Sequence, residues 1–262
     1  MIARTVNRLL KPLGVRLLRE SASVSAKSRR VNASRSVFDE LDHTISAGPF
    51  VGTKLAQQFA WGDASVGAVV LGCYEEQLHP AIEAMVAADP DVVVNIGSAE
   101  GTYAIGMARR LPSATVIALD VEPMAEVAVR ENARLNGVSD RVEVHLGWSP
   151  ADVERCIRLA QRPAILIDCE GHEQEFLDPV AVPSLARSSV LVEVHEHLVP
   201  GIGQVLRDRF SGTHEIETIV ESGRNPHQYE VLQKMHSIDK WLVVSEGRDV
   251  TMSWFWCRPR LG

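Results

Sequence analysis

The sequence predicts a doubly wound α/β domain: a mostly parallel, seven-stranded sheet preceded by a helical N-terminal extension. From Asp91 onward, short runs rich in Val and Ile alternate with stretches of helical periodicity. That is the rhythm of strands joined by crossover helices in a sheet covered on both faces. A glycine-bearing turn, Gly97-Ser-Ala-Glu-Gly101, lies between the first such strand and the first such helix, where α/β folds hold their ligands.

The expected strands are Val92–Ile96, Thr115–Leu119, Val142–Leu146, Ala164–Ile167 and Ser189–Val194, each a short apolar run. Between them, helical spacing appears at Tyr103–Leu111, Pro123–Leu135, Ala151–Ala160 and Glu173–Leu185. Pro123 suits a first helical position, and Asn136-Gly137 suits a helix stop. After Pro200 come an expected helix, Gln204–Phe210, and strand-like runs at Glu215–Val220 and Met252–Cys257. Upstream, Ser21–Ser36 is rich in Ser, Ala and Arg and reads as a linker. Residues 37–87 read as mainly helical, anchored by Trp61 and Tyr74 and broken at Gly62, Gly67 and Gly72. His79-Pro80 opens a periodic stretch (Ile82, Met85, Val86) that ends at Asp89-Pro90. The chain therefore divides into an arm and linker (1–30), a helical extension (31–87) and a ligand-binding α/β domain (88–262).

The 262 residues are 45% hydrophobic and 23% charged, with 18 Gly and 13 Pro. This excludes a disordered chain, a collagen-like fibre and a disulfide-framed miniprotein. The run Gly67–Cys73 falls far short of the ~20 residues of a membrane span. A net charge of −7 argues against a nucleic-acid partner. The four cysteines, Cys73, Cys156, Cys169 and Cys257, form no C-x-x-C pair, and no apolar signal core follows the first residues, so a reducing cytoplasm is expected. Residues 1–30 hold eight basic residues against the single acid Glu20, and Ile2, Val6, Leu9, Leu10, Leu13 and Leu17 share one helical face interrupted by Pro12 and Gly14. Two readings stand: a peripheral contact of residues 1–20 with an anionic membrane face or a partner, or a solvated arm.

The turn has the spacing Gly97-x3-Gly101, without the first two glycines of a dinucleotide fingerprint, and it precedes a helix N-terminus with exposed N–H groups. Asp120 ends the second strand about 20 residues later, where an acid meets ribose hydroxyls. Four runs in order then resemble class I S-adenosylmethionine-dependent methyltransferases, most closely the FkbM-like branch: Asn95-Ile-Gly-Ser-Ala-Glu-Gly-Thr-Tyr103, Asp120-Val-Glu-Pro123, Glu131-Asn-Ala-Arg-Leu-Asn-Gly-Val-Ser-Asp140 and Asp168-Cys-Glu-Gly-His-Glu173. The likeness spans about residues 91–197. It implies the Rossmann-like methyltransferase fold and S-adenosylmethionine as cofactor. Gly97, Ser98, Glu100 and Gly101 would surround the methionine part, Asp120 the ribose, and Gly147 and Trp148 the adenine. Asn95 stands where the branch usually has an acid; it hydrogen-bonds but carries no charge.

Asp168, Glu170 and Glu173 follow the fourth strand, and Glu193, His195 and His197 alternate along the fifth, so that they share one face if that strand continues. Three readings compete here: a general base, His195 or Asp168 beside Glu170, that deprotonates a substrate hydroxyl; a divalent metal site; and structural groups at a helix N-terminus. The base reading leads, and no metal ligand is assigned. Tyr74, Glu75, Glu76 and His79 are candidates to close over the cofactor, and Asn225–Tyr229 is a candidate lid. His214, His227 and His236 read as surface residues, and Trp241, Trp254 and Trp256 as core. The expected reaction is methyl transfer to a hydroxyl of a small-molecule, sugar or glycolipid-type acceptor, with N-methylation left open. Two rivals remain. A nicotinamide-dependent oxidoreductase is disfavoured by the loop spacing and by the lack of a Tyr-x-x-x-Lys pair. A catalytically silent S-adenosylmethionine-binding protein is kept open by Asn95. No Gly-x-Ser-x-Gly elbow supports nucleophilic hydrolysis.

Overall fold

The computed structural model describes residues 26–60 and 62–260; the expectations placed on residues 1–20 and on Trp61 lie outside them. Seven strands, β1 (Val92–Ile96), β2 (Thr115–Asp120), β3 (Val142–Leu146), β4 (Pro163–Ile167), β5 (Ser189–Glu193), β6 (His214–Val220) and β7 (Ser253–Pro259), form one sheet in the order β3-β2-β1-β4-β5-β7-β6. The first five pair in parallel, and β7 enters between β5 and β6, antiparallel to both. Strands β1, β4 and β5 are buried almost throughout, which is why they read as unbroken apolar runs rather than alternating ones. Of the edge strands, β3 alternates buried and more exposed positions, and β6 is mostly exposed beyond His214.

The helices are α1 (Ala26–Glu40), α2 (Val66–Leu71), α3 (His79–Ala87), α4 (Thr102–Arg110), α5 (Pro123–Leu135), α6 (Pro150–Ile157), α7 (Glu173–Phe176), α8 (Ile202–Phe210) and α9 (Ser237–Val244). One sheet face (Val93, Ala118, Leu166, Leu191) packs in a core shared with α3, α4, α5 and the helices α1, α2 and α9. The opposite face (Val94, Ile117, Ile165, Val192) packs against α6 and α8. Both faces are covered, as expected of a doubly wound sheet. Helix α5 starts at Pro123 and closes at Asn136, with Gly137 in the left-handed region at φ +66°; α6 begins with a Ser149–Asp152 capping box. Among the described residues no helix is long and apolar enough to cross a membrane.

Four expectations fail. Ser21–Ser36 is not all linker, because α1 begins at Ala26: Ala33, Val37 and Phe38 bury one face, and Ser34, itself buried, donates to the Ala64 carbonyl at 2.8 Å. Gly67 does not break a helix but lies inside α2, where a Cβ would come within 2.9 Å of the Ser34 Cα; the small residue lets α1 and α2 approach. Glu173–Leu185 shortens to the single turn α7, followed by a 3-10 turn at Pro183–Arg187, since Pro179 and Pro183 supply no N–H to continue the helix. Residues 41–60 are likewise loop rather than helix, with Asp42 and His43 at positive φ.

Candidate active site

The chain turns sharply at the carboxyl end of β1. Gly97 and Ser98 both donate their N–H groups to the Leu119 carbonyl, at 2.8 and 3.0 Å. Gly97 adopts φ +76°, and a Cβ there would fall 1.6 Å from the Asp168 carbonyl oxygen, so only glycine lets this turn pass the end of β4. Asp120 braces the turn from β2. Its Oδ2 accepts the Ala99 N–H at 2.8 Å, and its Oδ1 accepts those of Val121 and Glu122 at 2.8 and 2.9 Å. With a single donor, Oδ2 keeps a lone pair for a ligand hydroxyl. Asn132 on α5 clamps the far side, donating to the Glu100 carbonyl and accepting from the Ala56 N–H, both at 2.7 Å.

These elements border a cavity of about 650 Å³, well inside the ~300–1,000 Å³ range of ligand pockets. Of the residues expected to hold a cofactor, Asn95, Gly97, Ser98, Glu100, Asp120 and Trp148 line it. Gly101 and Gly147 are not on its wall: Gly101 caps α4 against Val129, and Gly147 is exposed and donates to the Asp120 carbonyl at 3.1 Å. Asn95 Oδ1 and Ser98 Oγ are buried without a partner among the described residues. Buried polar atoms are rarely left so, and a ligand rich in N–H donors satisfies both.

The acid–histidine cluster assembles at the next strands along the sheet. Ile167 pairs with Val192, so Asp168 and Glu193 emerge side by side at the carboxyl edge. Strand β5 stops at Glu193 and the chain turns, so Glu193, His195 and His197 do not share a face as expected. Glu193 lines the cavity, His195 is buried behind Asp168, and His197 is exposed, its ring 5.8 Å from that of His195. His195 Nδ1 meets Glu173 Oε1 at 2.7 Å, while Nε2 faces Asp168 at 3.6 Å and Glu170 at 3.5 Å. The His195 side chain is only 4% exposed, whereas Asp168 is 47% exposed, into the cavity. Burial opposes charge on the His195 ring, but the Glu173 hydrogen bond and the neighbouring carboxylates outweigh it and hold the pKa above its usual value. Burial also raises Asp168. Asp168, Glu193 and His195 each bring one ligand atom within 4.8 Å of the others, the set a metal ion would use.

Behind this cluster lies a network of buried charges that the sequence did not reveal. Glu75 sits at φ 50° and accepts hydrogen bonds from the Tyr103 hydroxyl and from Arg248, the latter at 2.5 Å. Arg248 also binds Glu193, and Glu246 at 2.7 Å; Glu246 is shared with Arg224. Burial, reinforced by the Asp168 and Glu75 charges, pushes Glu193 up to about 10, and burial pushes Glu75 up to about 7. These partners stand as many as 173 positions apart, so no local motif announces them.

The remaining candidates fall elsewhere. Tyr74 and Glu75 line the cavity, but Glu76 and His79 do not. Asn225–Tyr229 is no lid: Pro226 is buried, Tyr229 packs on the core, and none of the five residues lines the cavity. His214 is a core residue, not a surface one, its Nε2 2.9 Å from the Ser188 carbonyl. His227 and His236 are exposed. Trp254 and Trp256 are buried, while Trp241 is 51% exposed.

A parallel sheet extended by an antiparallel β7 between β5 and β6, with a glycine turn and a β2 acid opening on one cavity, is the Rossmann-like methyltransferase fold. A family model for ribosomal protein L11 methyltransferase (PrmA) matches residues 78–160, about a third of the chain, including the glycine turn and Asp120. The release factor glutamine methyltransferase of Synechocystis sp. is 39% identical over 61 residues, 22% of this chain and 20% of that protein. The ribosomal protein L11 methyltransferase of Alteromonas mediterranea is 37% identical over 68 residues, 26% of this chain and 23% of that protein. The matched segment thus spans about a fifth of the length of these relatives. Among solved structures, an O-methyltransferase from Bacillus cereus in complex with SAH aligns over 97% of both chains, with 13% identity and a TM-score of 0.46.

Proposed function

We propose that this chain is an S-adenosylmethionine-dependent methyltransferase of the FkbM-like branch that methylates a hydroxyl of a small-molecule, sugar or glycolipid-type acceptor. The observation that carries this reading is the convergence on one cavity of the Gly97 turn, the Asp120 carboxylate and the Asp168–Glu170–His195 cluster. The Asp168-Cys-Glu-Gly-His-Glu173 run supports the branch. A sheet with β7 antiparallel departs from the all-parallel dinucleotide order, which weighs against the oxidoreductase alternative.

Bound, the cofactor supplies an electrophilic methyl group on a sulfonium. The Gly97–Gly101 turn, with Asn95 and Ser98, would hold its methionine part, Asp120 its ribose and Trp148 its adenine. Asp168 and Glu170 both open on the cavity; Asp168, at the end of β4 beside the glycine turn and raised by burial, removes the acceptor's hydroxyl proton. His195 acts through Asp168: with Nδ1 fixed by Glu173, its Nε2 orients the Asp168 carboxylate. Glu170, exposed beside them, passes the proton to solvent. General-base assistance of this kind is worth ~10²–10⁴-fold, and the rest of the acceleration comes from holding acceptor and methyl in line.

The test is calorimetric titration with S-adenosylmethionine, S-adenosylhomocysteine and NADH, repeated on Asp120→Asn with circular dichroism as a control of folding. Micromolar binding of the first two, weakened in the variant, is expected. A folded protein that binds neither, or that binds NADH, sinks the reading.

A further inference from the structure

The cavity runs on past the groups given to the cofactor. Beyond the Gly97 turn and Asp120 it is walled by the N-terminal extension, through Leu55, Phe59, Val66, Val69 and Leu78, and by Leu191 of β5 and Trp254 of β7. Among the described residues this wall is interrupted only by Ser65, the Tyr74 hydroxyl and the carboxylates of Glu75 and Glu193. Both carboxylates are already held by Arg248, and the Tyr103 hydroxyl beside them donates to Glu75. On the α7 side, His172 and Glu175 satisfy each other at 3.1 Å. Asp168 opens where this apolar wall meets the glycine turn.

Such a wall selects against carbohydrate. A sugar ring brings several hydroxyls to it, and each one left without a partner costs ~1–3 kcal/mol, whereas every methylene buried there gains ~0.8 kcal/mol. Part of the wall is aromatic and held from behind. Phe59 stands edge-on to Phe38, with centroids 5.5 Å apart, and Tyr103 stands edge-on to Phe50 at 5.7 Å. Rings fixed in this way offer a flat ligand offset or edge-to-face contacts. The base narrows the choice again. A carboxylate takes a proton more readily from a phenol, whose ordinary pKa is ~10, than from an alkyl alcohol, a far weaker acid. Burial, which raises Asp168, brings base and phenol closer still.

We infer that the methyl acceptor is a phenol with an apolar body, its hydroxyl at Asp168 and its body along the Phe59–Val66–Val69 wall of the N-terminal extension. This rests on the cofactor reading and deepens it by naming the acceptor class; free sugars are excluded from that class. The phenol O–H bond breaks as its proton passes to Asp168. The oxygen bonds to the methyl carbon while the sulfur–carbon bond of the donor breaks, its electron pair staying on sulfur. Phe59 and Val69 set specificity, and Asp168 meets the reacting hydroxyl.

The experiment uses the whole chain saturated with S-adenosylhomocysteine, a binding step that calorimetry establishes first. Its absence brings down the cofactor reading and this inference together, whereas its presence without the results below brings down this inference alone. Phenol, 4-ethylphenol and methyl glucoside are then titrated by ligand-observed NMR. The ethyl compound is expected to bind about tenfold more tightly than phenol, as two methylenes buried at ~0.8 kcal/mol each imply, and the glucoside not to bind. Phe59→Ala, checked for folding, should weaken 4-ethylphenol about fivefold, the size of one aromatic contact; Val69→Ala serves if it does not fold. With S-adenosylmethionine as donor, mass spectrometry should find the methyl ether of 4-ethylphenol and none of hexanol. The inference is overturned if neither phenol binds at millimolar concentration, if the ethyl group adds nothing, or if the glucoside binds as tightly as 4-ethylphenol. It falls equally if both variants bind 4-ethylphenol as the parent does, or if hexanol is methylated as readily.

Discussion

His195 Nδ1 lies 2.7 Å from Glu173 Oε1, with 4% and 0% of the two side chains exposed. Burial would raise the Glu173 pKa, yet the His195 hydrogen bond and the local N–H groups hold it below the usual carboxylate range, while His195 is held above its usual value. The pair therefore stabilises the fold most between the usual Glu and His pKa values. Its contribution falls in acid as Glu173 protonates, and falls as pH rises through the folded-state pKa of His195. Glu173→Gln should flatten this pH dependence of unfolding and lower the His195 titration midpoint seen by NMR; an unchanged midpoint would contradict the pairing. Glu173→Ala should cost ~3–5 kcal/mol by breaking a buried pair.

Two glycines with similar backbone angles should respond differently to alanine. At Gly97 (φ +76°) the added Cβ meets the Asp168 carbonyl at 1.6 Å, whereas at Gly147 (φ +67°) nothing lies within 4 Å. Gly147→Ala should cost only the left-handed strain, ~1–2 kcal/mol. Gly97→Ala must also push β1 and β4 apart, so it should be destabilised well beyond that, with cofactor binding lost. Equal melting temperatures for the two variants would refute this account of the turn.

Removing Arg248 leaves Glu75, Glu193 and Glu246 buried without their shared cation. Arg248→Met should therefore lose ~3–5 kcal/mol near neutral pH. Carboxyls whose folded-state pKa is raised bind protons more tightly in the native state, so stability falls as pH rises through their range. Glu75 and Glu193, already raised to about 7 and about 10, should rise further without Arg248. The variant should thus lose stability more steeply than the parent between pH 6 and 9, as read by thermal unfolding.

Asp120 has a structural task besides any contact with a ligand, because its carboxylate accepts three backbone N–H groups. Asp120→Ala should lower stability by ~1–3 kcal/mol through the orphaned donors, even without cofactor. Asp120→Asn keeps one acceptor oxygen and should be milder. If Asp120→Ala unfolds at the parental denaturant midpoint, this bracing role is wrong.

The parallel strands were legible because burial on both faces leaves a continuous apolar signature, as in the Val92–Ile96 run. Helix α1 was not, since its polar, Arg-rich composition hides a narrow face of Ala33, Val37 and Phe38. The helix expected after Glu173 looked regular by spacing, but the missing N–H groups of Pro179 and Pro183 override periodicity. Within the site, Asp120, Asp168 and Glu170 stand at strand ends that the apolar runs mark, whereas Glu193 and His195 were grouped by an alternation that the turn after Glu193 breaks. Arg248 and Glu246 could not: they lie in a loop with no periodic signal, and only the tertiary fold brings them to Glu75 and Glu193.

The place of β7 in the sheet has a consequence for how the protein is made. Strands β1 to β6 are translated before it, yet β7 slots between β5 and β6, and Trp254 and the Arg248 loop complete one wall of the cavity and the charges behind it. A nascent chain on the ribosome can pair β1 to β5 as they emerge, but it holds a half-built pocket with unbalanced acids until β7 emerges. Ligand binding is thereby postponed until β7 has joined the sheet, and a chain truncated before residue 248 should fail to bind even if its glycine turn has formed.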